Sequence, residues 1–174
     1  SWPDIDYGDA SRTGFEHRYH LEHMELLCLA CQQKSSAFYQ DPVIPDAVNR
    51  SLRFWCDHDY ISENWYHNQV STPTKLVNVL LLMDDLVDPE LKKDALEISH
   101  RAHLKAPGAR PGADRIRIGG IAAKRGLIVG DEQAFAEIMR VISNEIKFNT
   151  GGRGMQHDYS FHHRYDRVNT TYSY

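Results

Sequence analysis

The sequence predicts an all-α fold of stacked helical hairpins, and three observations carry that expectation. Apolar residues recur at three- and four-residue spacing in successive segments, prolines and helix-capping residues separate those segments, and hardly any stretch alternates as a strand would. At 174 residues and 41% hydrophobic content, the chain fits a single domain, residues 1–174, with enough apolar surface to bury a core.

Six helices are expected in order. Between Glu16 and Lys34, the residues Leu21, Met24, Leu27, Cys28 and Cys31 form one apolar stripe. A second helix follows Pro45, with Val48, Leu52 and Trp55 on its buried side. Asn64-Trp65-Tyr66-His67-Asn68-Gln69 reads as a helix-entry loop, because Thr72-Pro73 has the form of an N-cap followed by proline at the first helical position. Behind it Leu76, Val77, Leu80, Leu81 and Met83 build the third helix. Pro89 opens the fourth, through roughly His103, and Pro107–Gly112 breaks the pattern as a loop. Ile116, Gly120, Ala123 and Leu127 give the fifth helix a small-residue face, ended near Gly130. Asp131 caps the sixth, where Phe135, Ile138, Met139, Ile142 and Ile146 share a side. After Asn149 the period dissolves into Gly151-Gly152-Arg153-Gly154. No close repeat marks a regular solenoid.

A net charge of −4 argues against a general nucleic-acid binder. The positive charge is local: from Gly151 to Arg167 there are three arginines and three histidines against two aspartates, enough to hold an anionic ligand. Cys28, Cys31 and Cys56 show no disulfide-scaffold spacing, and the first two, a turn apart in an apolar stretch, read as buried thiols. No apolar run approaches the ~20 residues that span a bilayer, so no membrane partner is expected. No secretory signal is visible, and the chain opens at Ser1-Trp2-Pro3 as a trimmed one would.

Arg153 through Arg164 gathers three histidines and two arginines in twelve residues, the groups that proton transfer on an acidic sugar requires. Trp65 and Tyr66 offer flat faces for sugar rings, while His67 and Asn68 can hydrogen-bond hydroxyls or carboxylates; the alternative is that the two aromatics plug the core. His17, His20 and His23 do not converge as metal ligands on one helix and read as semi-buried packing residues, and His100 and His103 repeat that weak pattern. Of the basic residues Arg110, Arg115, Arg117, Lys124 and Arg125, most read as solvated charge. Arg115 is the exception, since it lies in the first turn after Gly112-Ala113-Asp114, where a helix N-terminus favours anions.

At Asn64-Trp65-Tyr66 through Thr72-Pro73, at Gly112-Ala113-Asp114-Arg115 and at Gly154 through Tyr174, the chain resembles polysaccharide lyase family 8, over about 110 of its 174 residues. The family's elements are an Asn-Trp-aromatic stretch ending in Thr-Pro, a Gly-Ala-Asn turn, and an Asp-x-Ser-aromatic segment with the catalytic histidine, closed by Tyr-Gly. The resemblance implies an incomplete (α/α) toroid of helical hairpins, truncated at its C-terminus. Further helices and β-sandwich domains are missing from this chain, and the edge where they would pack is expected to expose an apolar patch. It also implies a secreted or periplasmic enzyme that binds an anionic polysaccharide and cleaves it by β-elimination at a uronic acid, with no metal or cofactor required.

Carried over position by position, Tyr174 takes the place of the catalytic acid and His163 that of the base, with His162 the alternate. Strict ungapped counting would put Arg164 there, and a guanidinium stays protonated. Asp114 stands where the family has its neutralising asparagine; a carboxylate there repels a uronate unless protonated or paired, and Asn68, His67 and Arg164 are the available substitutes. Trp65 and Tyr66 match the aromatic patch. The sequence thus predicts that Trp65–Asn68 face the His162/His163 segment across one groove. Two other readings stand beside this one: a non-catalytic carbohydrate-binding toroid, and a toroidal glycoside hydrolase using carboxylates among Asp57, Asp59 and Glu63. A zinc hydrolase built on the histidine runs is more distant.

Overall fold

The structure, a computed structural model, describes residues 1–162, which fall into two compact units, Ser1–Arg101 and the residues from Ala102 on. The all-α expectation holds. The first unit contains α1 (His17–Gln32), α2 (Val43–His58), α3 (Thr72–Met83) and α4 (Pro89–Ser99); the second contains α5 (Ala113–Val129) and α6 (Glu132–Glu145). Among the described residues, no helix is long and apolar enough to cross a membrane.

In the first unit α1 packs on α2 and α3, while α4 packs on α2 and α3. Leu21, Met24 and Cys28 of α1 meet a core completed by Val48, Leu52 and Trp55 of α2, Leu76, Val77 and Leu80 of α3, and Leu91 and Ala95 of α4, all buried. Burying each of the larger side chains contributes about 1.5–3 kcal/mol. Polar groups fix the register: Glu25 accepts from Lys75 Nζ at 2.5 Å and from Asn78 Nδ2 at 2.6 Å, tying α1 to α3. The three cysteines are free thiols, and burial pushes Cys28 and Cys56 up to about 12, so both stay protonated.

The N-terminal segment is held by two histidines that are fully buried rather than semi-buried. His20 Nε2 lies 2.9 Å from the Ser51 carbonyl and must donate to it, so Nδ1 accepts from the Tyr7 hydroxyl at 2.8 Å. His17 Nε2 donates to the Tyr7 carbonyl at 2.8 Å. Phe54 stacks on His20 and Phe15 on His17.

Three boundaries differ from the expected ones. The second helix starts at Val43, so Pro45 lies in its first turn, where a proline N–H is not missed. α4 stops at Ser99, short of His103. Thr72 is not a cap: helical turns begin at Trp65, capped by Asn64 Oδ1, which accepts from Tyr66 N at 3.1 Å. A π-turn over His67–Ser71 then leads into α3, with Thr72 N bonded to the His67 carbonyl. Pro73 has no N–H to donate and its ring would press on the carbonyl four residues back; the wider turn relieves that pressure. The Thr74 hydroxyl donates to the Val70 carbonyl at 2.7 Å.

In the second unit α5 and α6 form a tight hairpin. Gly130 ends α5 in the left-handed region, and the Asp131 carboxylate accepts from Ala134 N to start α6, as expected. The packing face of α5 is rotated from the expected one: Ile118, Gly119, Ala122, Ala123 and Gly126 are buried, whereas Leu127 is 56% exposed. A Cβ at Gly119 would stand 3.0 Å from Ile142 Cγ1, whereas one at Gly120 would meet nothing within 4 Å. On α6 only Ile142 is fully buried, Phe135 and Ile138 are half-buried, and Met139 and Ile146 are exposed, as are Val129 and Phe148. Among the described residues three strands of two or three residues follow: β1 (Phe148–Asn149) pairs parallel with β2 (Gly154–Gln156), which pairs antiparallel with β3 (Phe161–His162).

Candidate functional site

The site in the second unit is built on a glycine run held by one buried amide. Gln156 Oε1 accepts from Gly151 N at 3.2 Å, and its Nε2 donates to the Gly152 and Gly154 carbonyls at 3.1 and 3.0 Å. Gly151, Gly152 and Gly154 all have positive φ, which lets the backbone wrap this amide. The β2–β3 hairpin then turns through Asp158, whose carboxylate accepts from Ser160 Oγ at 2.7 Å and Ser160 N at 3.0 Å. Those two bonds, the hydroxyl's first, hold the Asp158 carboxyl below its ordinary range. His162 is half-buried and pairs in register with Gly154. His157 stacks on Phe148 at 5.5 Å. His163, Arg164 and Tyr174 lie outside the described residues.

The start of α5 is pressed against this glycine run. A Cβ on Gly112 would lie 3.5 Å from Arg153 Cβ and 3.6 Å from Gly154 N. Asp114, only 4% exposed, accepts from Arg110 Nε at 2.9 Å and Nη2 at 2.8 Å, with Arg153 Nη1 at 3.9 Å. The Asp114 carboxylate is therefore paired. Arg115 and the helix start are also engaged: Glu145 of α6 takes Arg115 Nη1 at 2.8 Å on one oxygen and Gly112 N at 2.7 Å on the other. Arg115, expected to favour an external anion, is already ion-paired with the internal carboxylate of Glu145. Arg110, though exposed, is ion-paired with Asp114, and Arg125 is not a solvated charge: it is buried and donates to the Ala102 carbonyl at 2.8 Å. Burial lowers the Arg125 pKa.

Two sequence segments far apart in the chain, Gly112–Arg115 and Arg153–His162, thus meet in one unit. Arg110, Glu145 and Gln156 are the participants that sequence reasoning missed, whereas Arg153 is already counted in the terminal cluster. The four-residue spacing of Arg110 and Asp114 is the one signal that pointed to them.

Trp65, Tyr66, His67 and Asn68 lie in the first unit, all half-buried on the first helical turns and the π-turn rather than on a loop. Trp65 and Tyr66 meet edge to face at 5.7 Å. His67 packs on Phe15 at 5.1 Å, and burial, followed by the charge of Arg18, lowers its pKa. The Asn68 amide clasps the Ser62 backbone, Oδ1 accepting from N at 2.9 Å and Nδ2 donating to O at 2.7 Å. One N–H and one lone pair of that amide are left for a ligand. Of the carboxylates weighed for hydrolysis, Asp59 ends α2 in the left-handed region and is ion-paired with Arg101, while Asp57 and Glu63 are exposed.

The family model described as "Polysaccharide lyase family 8, N terminal alpha-helical domain" matches residues 1–173. Chondroitinase-AC of Pedobacter heparinus is 28% identical over 161 residues, covering 92% of this chain and 23% of that protein. The polysaccharide lyase 8 family protein HylA of Enterococcus faecalis is 23% identical, covering 86% of this chain and 12% of its own length. The chain thus spans less than a quarter of these relatives. A solved chondroitinase AC lyase, studied as enzyme–oligosaccharide complexes, superposes with a TM-score of 0.81 at 29% identity, covering 92% of this chain and 24% of that one. A Paenibacillus xanthan lyase shares the fold at a TM-score of 0.77 and 19% identity, over 92% of this chain and 15% of its own.

Proposed function

The chain belongs to polysaccharide lyase family 8, and from that premise we propose that it is part of an enzyme cleaving a uronic-acid-containing glycosaminoglycan, or a related polymer, by β-elimination. The observation that carries the reading is the meeting of the Gly112–Arg115 turn with the hairpin of His162, since both are motifs through which the resemblance runs. The similarity to a chondroitinase supports a glycosaminoglycan as the substrate.

In the proposed reaction His163, or its neighbour His162, removes the proton at C5 of the uronate. The electron pair left behind forms the C4–C5 double bond as the glycosidic oxygen departs from C4, and Tyr174 delivers a proton to that oxygen. A histidine with an ordinary pKa near ~6.5 is largely unprotonated at neutral pH, as the base must be. The C5 proton is weakly acidic, so cationic groups near the sugar carboxylate are needed to stabilise the developing enolate. Trp65 and Tyr66 stack on the polymer, His67 and the remaining donor of Asn68 bind its polar groups, and the enzyme acts outside the cytoplasm, where such polymers are found.

The test is a panel of chondroitin, hyaluronan, heparan, alginate, glucuronan and xanthan incubated with the full-length protein. Elimination yields an unsaturated uronate that absorbs in the ultraviolet. A saturated product would signify hydrolysis, and binding without product a non-catalytic carbohydrate-binding role; either result refutes the lyase reading.

A further inference from the structure

The segment that precedes α1 is a strap, and its last residues reach the turn proposed to bind sugar. Tyr7 anchors it: the hydroxyl accepts from Trp2 N at 3.1 Å and donates to His20 Nδ1, while the carbonyl accepts from His17 Nε2. Beyond Tyr7 the chain closes into a loop. Asp9 Oδ1 accepts from Ser11 N at 2.9 Å, and Ser11 Oγ accepts from Gly14 N at 3.1 Å. Phe15 N then donates back to the Asp9 carbonyl at 3.0 Å.

This loop delivers Phe15 at φ 68°, a conformation that a bulky residue rarely adopts, with the side chain fully buried. Backbone strain of that kind persists only where the surroundings over-determine it, and it clusters at functional sites. The Phe15 ring contacts two imidazoles, stacked on His17 at 4.6 Å and tilted against His67 at 5.1 Å. Two hydrogen bonds tie the strap to the same segment. Glu63 N donates to the Ala10 carbonyl at 3.0 Å, and Asn64 Nδ2 to the Arg12 carbonyl at 3.4 Å. Asn64 is also the residue whose Oδ1 caps the first helical turn at Tyr66 N.

His67 opens the π-turn, and its Nδ1 is buried with no hydrogen-bond partner among the described residues. A polar ligand can therefore reach the ring only through Nε2. With no bond at Nδ1 to fix it, the ring is aimed by packing, on Phe15 and edge-on to Tyr66 at 6.4 Å. We infer that Phe15 is a positioning residue: the strap, locked on α1 through Tyr7, holds Phe15 against His67 and so aims Nε2 at a hydroxyl or carboxylate oxygen of the polymer. The inference rests on the sugar-binding role proposed above for His67.

The experiment compares full-length wild type, Phe15→Leu, His67→Ala and the double variant on the polymer of the panel above that the wild type takes. KM and kcat are read where product forms, and calorimetric Kd where the polymer is bound intact. Phe15→Leu is expected to raise KM or Kd about 3- to 10-fold, the size of one hydrogen bond lost to misplacement, with kcat little changed. His67→Ala should lose a similar factor. Because Phe15 acts through His67, the double variant should lose no more than His67→Ala alone.

A merely structural role gives a different pattern. Phe15→Leu that melts earlier yet keeps wild-type KM or Kd overturns the proposal, and so do losses that multiply in the double variant. If Phe15→Leu does not fold, Asn64→Ser carries the test. Serine keeps a capping oxygen for Tyr66 N but is too short to reach the Arg12 carbonyl, so it loosens the strap from the turn alone. Weaker polymer binding is expected there, and unchanged binding overturns the proposal. A polymer bound without unsaturated product refutes the lyase reading, while the same shifts in Kd still decide the role of Phe15. Absence of wild-type product and binding across the whole panel overturns both.

Discussion

His20 makes the first unit sensitive to acid by an amount that follows from its surroundings. The ring is fully buried, donates to the Ser51 carbonyl, accepts from Tyr7 and is flanked by Phe54 and Trp55. Burial lowers its pKa from 6.5 to about 4, against the opposing pull of the Ser51 carbonyl, with smaller contributions from the Ser1 ammonium, His23 and His17. Both the native and unfolded states carry a neutral ring above pH 7. As the pH falls, the unfolded chain takes up the proton near 6.5 while the native ring resists until about 4, so stability is lost through that window and the loss levels off below it. Between pH ~7 and pH ~4.5 the two binding curves differ by about 2.5 kcal/mol. The assay is urea unfolding of wild type and His20→Gln at the two pH values, followed by far-ultraviolet circular dichroism. Carboxylates titrate alike in both proteins, so the difference in pH dependence isolates His20. A parallel loss of stability in the two proteins, or an imidazole resonance that titrates near 6.5 in the folded state, would refute the reasoning.

Adjacent glycines in α5 are expected to respond with opposite signs. Gly119→Leu drives carbon into Ile142 and should cost about 1–3 kcal/mol, while Gly120→Ala meets nothing and should gain about 0.5–1 kcal/mol; thermal or urea unfolding reads both. In the complete enzyme, Tyr174→Phe should preserve sugar binding and lower kcat by ~100- to 10,000-fold, and His163→Ala should do likewise, as removal of a general acid or base does. If His162→Ala is inactive while His163→Ala turns over, the base is His162. Trp65→Ala should instead raise KM with kcat little changed, since stacking is shared by ground and transition states; an unchanged KM would remove the stacking role.

Where one face of a helix alone is apolar, the sequence was sufficient. Leu21, Met24 and Cys28 on α1, and Val48, Leu52 and Trp55 on α2, are buried as their spacing requires, and Asp131 caps α6. In α5 the aliphatic residues lie all round the helix, so the pattern has no unique face. Its contact side is set by where glycine permits close approach, a property of the partner helix as much as of α5. The π-turn ahead of Pro73 left no periodic mark either, because it shifts the register by one residue within a helix that continues. In the candidate site, the segments around Asp114 and His162 were identifiable from their residue types. Their charge balance was not, since Glu145 reaches Arg115 and Arg153 approaches Asp114 through tertiary packing. The burial of His17 and His20 depends in the same way on the preceding segment, whose Tyr7 supplies their partners.

The central claim, that this helical chain belongs to a machine for β-elimination at a uronic acid, is tested most directly by the product. The full-length protein is incubated with chondroitin and hyaluronan, and each digest is followed by ultraviolet absorbance and mass spectrometry. The account predicts oligosaccharides ending in a C4–C5 unsaturated uronate, lighter by one water than their hydrolytic counterparts. Saturated ends, or polymers bound and returned intact across the whole panel of uronates, would contradict it.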